Sequence, residues 1–225
     1  MKPFILKITY VYVICVLALL IGVAFDNDPA SSALQQHIAT LKIDKSEPNW
    51  KRNLSLPPKL SFAENKSYYW EMVTNKGPIE IELLPQYAPM HVSSTMFLTE
   101  IGFYNDLKFH RVMPGFMMQG GDPMGTGQSG PGYQYDGEFH KAARHNQPGI
   151  LSMANRGPGT DGSQFFITFK ETRWLDNKHT VFGKVTNGFE TLSAIEAQGS
   201  QSGRTKEELK ILTASIVVKN KESKK

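Results

Sequence analysis

Residues 109–123, FHRVMPGFMMQGGDP, leave the backbone few choices. Pro114-Gly115 and then Gly120-Gly121 split this part of the chain into two short runs, 108–113 and 116–119, which read as strands. Arg111 is thereby set against an apolar wall, and Gln119 adds an amide close by.

Two later stretches share this character. Residues 150–155, ILSMAN, form an apolar run ending in an amide, and residues 163–169, SQFFITF, form a strand-prone run that opens with Gln164. Phe165 and Phe166 are neighbours, so on a strand one faces the core and the other the outside. Alternation predicts further strands at 68–74, 79–83, 180–185 and 209–218, the first two joined by a turn at 75–78. Helical spacing is expected at 90–101, ended by Gly102, and at 189–197, ended near Gly199. Eight short strands with two helices fit either a closed antiparallel barrel or a sandwich.

Taken with Trp174-Leu175 and His179, the motifs FHRVMPGFMMQGGDP, ILSMAN and SQFFITF resemble the cyclophilin family of peptidyl-prolyl isomerases, over about residues 77–218. The resemblance implies a mainly β fold, a closed eight-stranded antiparallel barrel capped by two helices, with the active groove on its outer surface. It implies isomerisation of Xaa-Pro bonds in polypeptides, no cofactor, a monomeric domain, and a cyclosporin-type compound as a candidate ligand. Carried over position by position, Arg111 matches the catalytic arginine. Phe116, Met117, Phe166 and Leu175 match the lining of the proline pocket. Gln119, Asn155 and Gln164 match the groups that hold the peptide backbone, with Ala154, Trp174 and His179 completing the groove. Two stretches depart from the family pattern: the first helix, HVSSTMFL, has Thr95 where asparagine is usual, and an acidic stretch reads YDGEF.

The chemistry suits these residue types. Rotating an Xaa-Pro amide means losing resonance, with a barrier of roughly 18–20 kcal/mol, and no bond has to break. An arginine stays charged and can donate to the prolyl nitrogen as it pyramidalises, which is electrostatic stabilisation without proton transfer. Amides suit the backbone contacts because they donate and accept at any pH. The same groove without turnover would be a non-catalytic binding module or chaperone for proline-containing segments.

Other readings are weaker. The net charge of +4 suggests nucleic acid until it is located. Residues 67–218 carry 13 Lys and Arg against 15 Asp and Glu, so the basic excess lies in the flanks and no nucleic-acid face is expected. Gly125, Gly127 and Gly130 spell GxGxxG, yet Pro131-Gly132 follows at once and no helix can begin there to meet a pyrophosphate. A hydrolase built from His179, Ser163 and Asp161 or Asp176 lacks a GxSxG elbow. The histidines show no zinc spacing, so no metal is implied.

Residues 8–25 are an almost unbroken apolar segment, preceded by Lys2 and Lys7 and followed by Asp26 and Asp28. Its length favours a retained membrane anchor over a cleaved signal, with the domain on the extracytoplasmic side, periplasmic in a bacterium. Secretion after cleavage is the alternative. Cys15, the only cysteine, lies inside that segment, so the exported part has no internal disulfide. Residues 26–66, polar and carrying four prolines, read as a linker with one or two helical turns, and residues 219–225 as a charged tail.

Overall fold

The computed structural model describes residues 28–221. Among the described residues no helix is long and apolar enough to cross a membrane. The apolar segment 8–25 lies outside them, as does most of the charged tail.

Among the described residues eight antiparallel strands form one sheet: β1 (Lys66–Thr74), β2 (Gly77–Leu83), β3 (Arg111–Met113), β4 (Met117–Gly120), β5 (Ile150–Met153), β6 (Phe165–Thr168), β7 (Val181–Asn187) and β8 (Ile211–Asn220). Each falls within about two residues of its expected place, except that β3 begins three residues late. Alternation sends Trp70, Met72, Ile79, Ile81, Val112, Met118, Leu151, Phe165, Ile167 and Phe182 into one core. The ring of Phe165 meets Trp70 edge-on at 4.9 Å and also contacts Tyr104 and Phe109.

The sheet curls without closing, which corrects the expected closed barrel. Its order is β3-β4-β6-β5-β7-β2-β1-β8, and the edge strands β3 and β8 share no ladder. They approach only at their ends, where Lys108 bridges Lys210, and where Phe109 N donates to Leu209 O and Ile211 N to Leu107 O. The reason lies in β3: Val112 N donates to Gly203 O, and Val112 O accepts from Ser200 N. A loop before β8 occupies the free edge that closure would need, and so covers it.

Among the described residues three α-helices, not two, pack on this sheet: α1 (Pro29–Thr40), α2 (Pro89–Glu100) and α3 (Phe189–Glu196). The last two are where the spacing predicts them, but α1 corrects the linker reading. Asp28 accepts from Ser31 N at 2.7 Å as its N-cap and Pro29 opens it, an ordinary helix start. Ala30 and Leu34 are buried, and Leu54 and Leu60 further along join the same core. Lys51 Nζ donates to Asn105 O, and Leu60 N to the Ser93 hydroxyl. Residues 28–65 are thus a packed extension of the domain. The apolar pattern of Leu34, Ile38 and Leu41 is short among polar residues and prolines, and Ala30 extends it by one turn towards the N-cap, so that every fourth residue from Ala30 to Ile38 is apolar.

Leu34→Ala measures the difference. In a packed helix it is expected to destabilise the protein by about 2–5 kcal/mol. In a loose tether the change would stay within about 0.5 kcal/mol. Denaturant unfolding of the two proteins decides.

Candidate active site

The β-ladder itself assembles the site. Arg111 on β3 pairs with Gln119 on β4, Gln119 with Phe166 on β6, and Phe166 with Ser152 on β5. Directly opposed residues share a face, so these four side chains form a row on the outer surface of the sheet, opposite the face that buries Phe165. The adjacent phenylalanines divide as alternation requires.

Arg111 is exposed, and its fork is held at both tips. Nη1 donates to Gln119 Oε1 at 3.3 Å and Nη2 to Met113 Sδ at 3.0 Å. Gly203 backs its aliphatic stem so closely that a Cβ there would lie 2.7 Å from Arg111 Cγ. Gln119 Nε2 donates to Gln164 Oε1 at 3.0 Å, and Gln164 Nε2 to Ser129 O at 2.8 Å. The relay starts at a group that can only donate and ends at one that can only accept, so the orientation of both amides is determined.

The apolar residues lie beside this relay. Phe166 is buried, with its ring 5.4 Å from His179 edge-on and 5.9 Å from His145 in a parallel stack. Met117 shares the outward face of β4 with Gln119 and is buried against Met113 and Thr168, its neighbours across the ladder. Half-buried Phe116 stacks at 6.1 Å on Trp174, which is 55% exposed. Leu175 ends a single 3-10 turn, Arg173–Leu175, and its carbonyl accepts from His179 N. His179 Nδ1 donates to Met153 O at 2.9 Å. Ala154 N donates to Gln164 O, tying the end of β5 to the relay. Asn155 is engaged locally, its amide donating to Lys178 O and its Oδ1 accepting from Gly157 N.

Three buried networks supporting this surface carry no sequence signal. Beneath Phe166, His145 Nδ1 meets Asp176 at 2.9 Å and Nε2 meets the Ser152 hydroxyl at 2.9 Å. Burial pushes His145 below its ordinary pKa, against the upward pull of Asp176. The line of acid, imidazole and hydroxyl has a hydrolase's order of partners, but Ser152 is 0% exposed and its hydroxyl also lies 3.0 Å from Thr180 O. It holds His145 flat against the pocket floor. The residues of the rejected hydrolase reading stay apart: Ser163 donates to Gly121 O, His179 to Met153 O, and Asp161 meets His91.

The second network shapes the glycine-rich loop. The carboxylate of Asp122 accepts from the amides of Met124, Thr126, Gln128 and Ser129. Burial alone would raise its pKa, but the amide hydrogen bonds outweigh that and hold it below the ordinary value. GxGxxG is therefore a loop wrapped around an anion supplied by the chain itself. The third network, around His91, ties α2 to the segment that delivers Gln164: His91 Nε2 meets Asp161 at 2.8 Å, and Nδ1 meets Glu138 at 2.7 Å.

A family model for the cyclophilin type peptidyl-prolyl cis-trans isomerase/CLD matches residues 69–216. The chain belongs to this family. A peptidyl-prolyl cis-trans isomerase-like 1 of Aspergillus fumigatus is 42% identical over 148 residues, covering 64% of this chain and 92% of that protein. A peptidyl-prolyl cis-trans isomerase of Arabidopsis thaliana is 44% identical over 149 residues, covering 64% of this chain and 24% of that protein, so the chain spans about a quarter of that relative's length. The crystal structure of a Cryptosporidium parvum cyclophilin type isomerase, determined in the presence of the dipeptide Ala-Pro, superposes with a TM-score of 0.64 at 35% identity, over 66% of this chain and 98% of that one. The packed extension lies before the matched span of this cyclophilin domain.

Proposed function

We propose that this cyclophilin isomerises Xaa-Pro bonds of flexible or incompletely folded polypeptides on the row formed by Arg111, Gln119 and Phe166. One observation carries the reading: a guanidinium held at both tips shares a sheet face with a phenylalanine two strands away. Two strand spacings amount to about 10 Å between the backbones, which leaves room for a proline ring between the two side chains. The proline ring would enter over Phe166, between Met117, Phe116, Leu175 and His179. Gln119, Gln164 and Asn155 would hold the flanking backbone, with Ala154 and Trp174 at the edges. Arg111 would donate to the prolyl nitrogen as it leaves conjugation. A cyclosporin-type macrocycle would compete for the same apolar floor.

NMR exchange on a short Xaa-Pro peptide tests this. Free peptide interconverts over tens to hundreds of seconds. Catalytic amounts of protein are expected to bring cis and trans signals into exchange within the mixing time, with peptide-induced shifts concentrated at Phe166 and His179. Shifts without faster exchange would reduce the protein to a binding module.

The same proposal places the work outside the cytoplasm, supported by the charge-flanked apolar segment 8–25. Only Asp26 and Asn27 separate that segment from the N-cap of α1, so an anchored protein would hold its domain close to the bilayer. Carbonate extraction of cell membranes decides, because a signal-cleaved form would appear in the soluble fraction.

A further inference from the structure

Beside Ala154, Asn155 and Gln164 an open pocket of about 450 Å³ continues the groove away from Phe166. One part of its wall comes from the packed extension. Leu54 N donates to Pro131 O at 2.9 Å, and Gly132 sits so close that a Cβ there would lie 2.6 Å from Arg52 O. These main-chain contacts and the burial of Leu54 fix the backbone that carries Arg52, whose side chain lines the pocket. Arg156 also lines it, donating through Nη2 to Gln128 O at 2.6 Å.

The charge at this pocket is one-sided. Among the described residues no aspartate or glutamate lines it. Among the described residues Arg52's side chain has one hydrogen bond, a long one of 3.4 Å to Asn49 Oδ1, and Arg156's has only the neutral Gln128 carbonyl. Two guanidinium charges without a carboxylate partner therefore face one pocket of a domain whose own balance is slightly acidic. Guanidinium groups favour carboxylates through paired, parallel hydrogen bonds.

We infer that this pocket selects substrates with an acidic side chain a few residues from the proline, and that Arg52 and Arg156 are the specificity-determining residues. The inference rests on the isomerase reading above, since the groove must hold the proline for the pocket to sample its neighbours. An extended chain advances about 3.3 Å per residue, so a pocket that shares Ala154, Asn155 and Gln164 with the groove lies within two or three residues of the ring. Arg52 lies in the extension, so part of the selectivity comes from outside the span that matches the family model.

The test is a peptide series with one proline and Glu, Gln or Lys placed in turn at each of three positions on either side, followed by NMR exchange. The full chain is expected to turn over the Glu peptide about fivefold faster than the Gln peptide at one of these positions, an effect the size of an exposed ion pair or two. The Lys peptide should be slower than both, and high salt should narrow the gap. The ratio between peptides is the readout, so a loss of folded protein cannot imitate the result. Arg52→Gln should shrink the ratio, and the double variant with Arg156→Gln should bring it to one. Equal rates for all three residues at every position, or a ratio untouched by Arg52→Gln, would overturn the inference and leave the isomerase reading standing. If no peptide exchanges faster at all, it is the isomerase reading that fails.

Discussion

Arg111→Ala is expected to lower kcat/KM on an Xaa-Pro peptide by about a hundred- to a thousandfold, the scale of removing one aligned donor from a charge-stabilising site, while most of the peptide affinity remains. The asymmetry follows from the electronic structure of the amide. In the planar ground state the nitrogen lone pair is delocalised into the carbonyl and accepts nothing. Only in the twisted state does it become an acceptor, so a donor placed there binds the transition state and not the substrate. Arg111→Lys keeps the charge but loses the fork anchored on Gln119 and Met113, and should fall between the two. Exchange rates and a peptide titration on the three proteins check this. Equal turnover by the alanine variant and the parent would dispose of the proposed role.

The second large effect concerns stability. His91 is 0% exposed and lies between two carboxylates. Burial alone would lower its pKa, but hydrogen bonds and charge from Asp161 and Glu138 outweigh that and hold it above 6.5. Glu138 mirrors it: burial would raise its pKa, yet the His91 side chain and the amides of His91 and Met90 bring it below the ordinary 4.5. His91→Ala removes the only cation from this cluster and is expected to cost about 3–5 kcal/mol, as when one member of a buried pair is lost. For a chain of this size that corresponds to a melting point roughly 6–20 °C lower.

The pH dependence has a definite sign. A raised histidine pKa stabilises the fold fully below 6.5, and this is lost as pH climbs through the folded value. A depressed glutamate pKa stabilises it fully above 4.5, and this is lost as pH falls through the folded value. The cluster therefore contributes most between these two values. Thermal melts across pH should show that maximum in the parent and lose its alkaline flank in His91→Ala. A parent that grows more stable from pH 6.5 to 8 while the variant does the same would contradict the assignment.

How much of this could be read in the chain depends on the range of the interaction. Strand positions were legible because glycine and proline cut the apolar runs to strand length, and the split between Phe165 and Phe166 follows from a period of two. The row of Arg111, Gln119 and Phe166 is a matter of register between strands, for which the family motifs substituted. The His91 network was not legible: its partners lie 47 and 70 residues away, and an isolated histidine has no pattern. Yet the two stretches that depart from the family's usual sequence meet there, since His91 opens HVSSTMFL and Glu138 belongs to YDGEF. The open edge of the sheet is not legible because alternation within strands says nothing about whether the first and last strands pair. The packing of the extension is not legible because three apolar positions among four prolines and many polar residues carry too short a helical period.

The packed extension has a practical corollary for expression of the protein. Trimming the gene to the span that matches the family model would delete Leu34, Leu54 and Leu60 and strip their side of the hydrophobic core. The shortened product would display a bare greasy flank, inviting self-association in a preparation otherwise judged complete. Start sites at or upstream of Asp28 avoid that hazard.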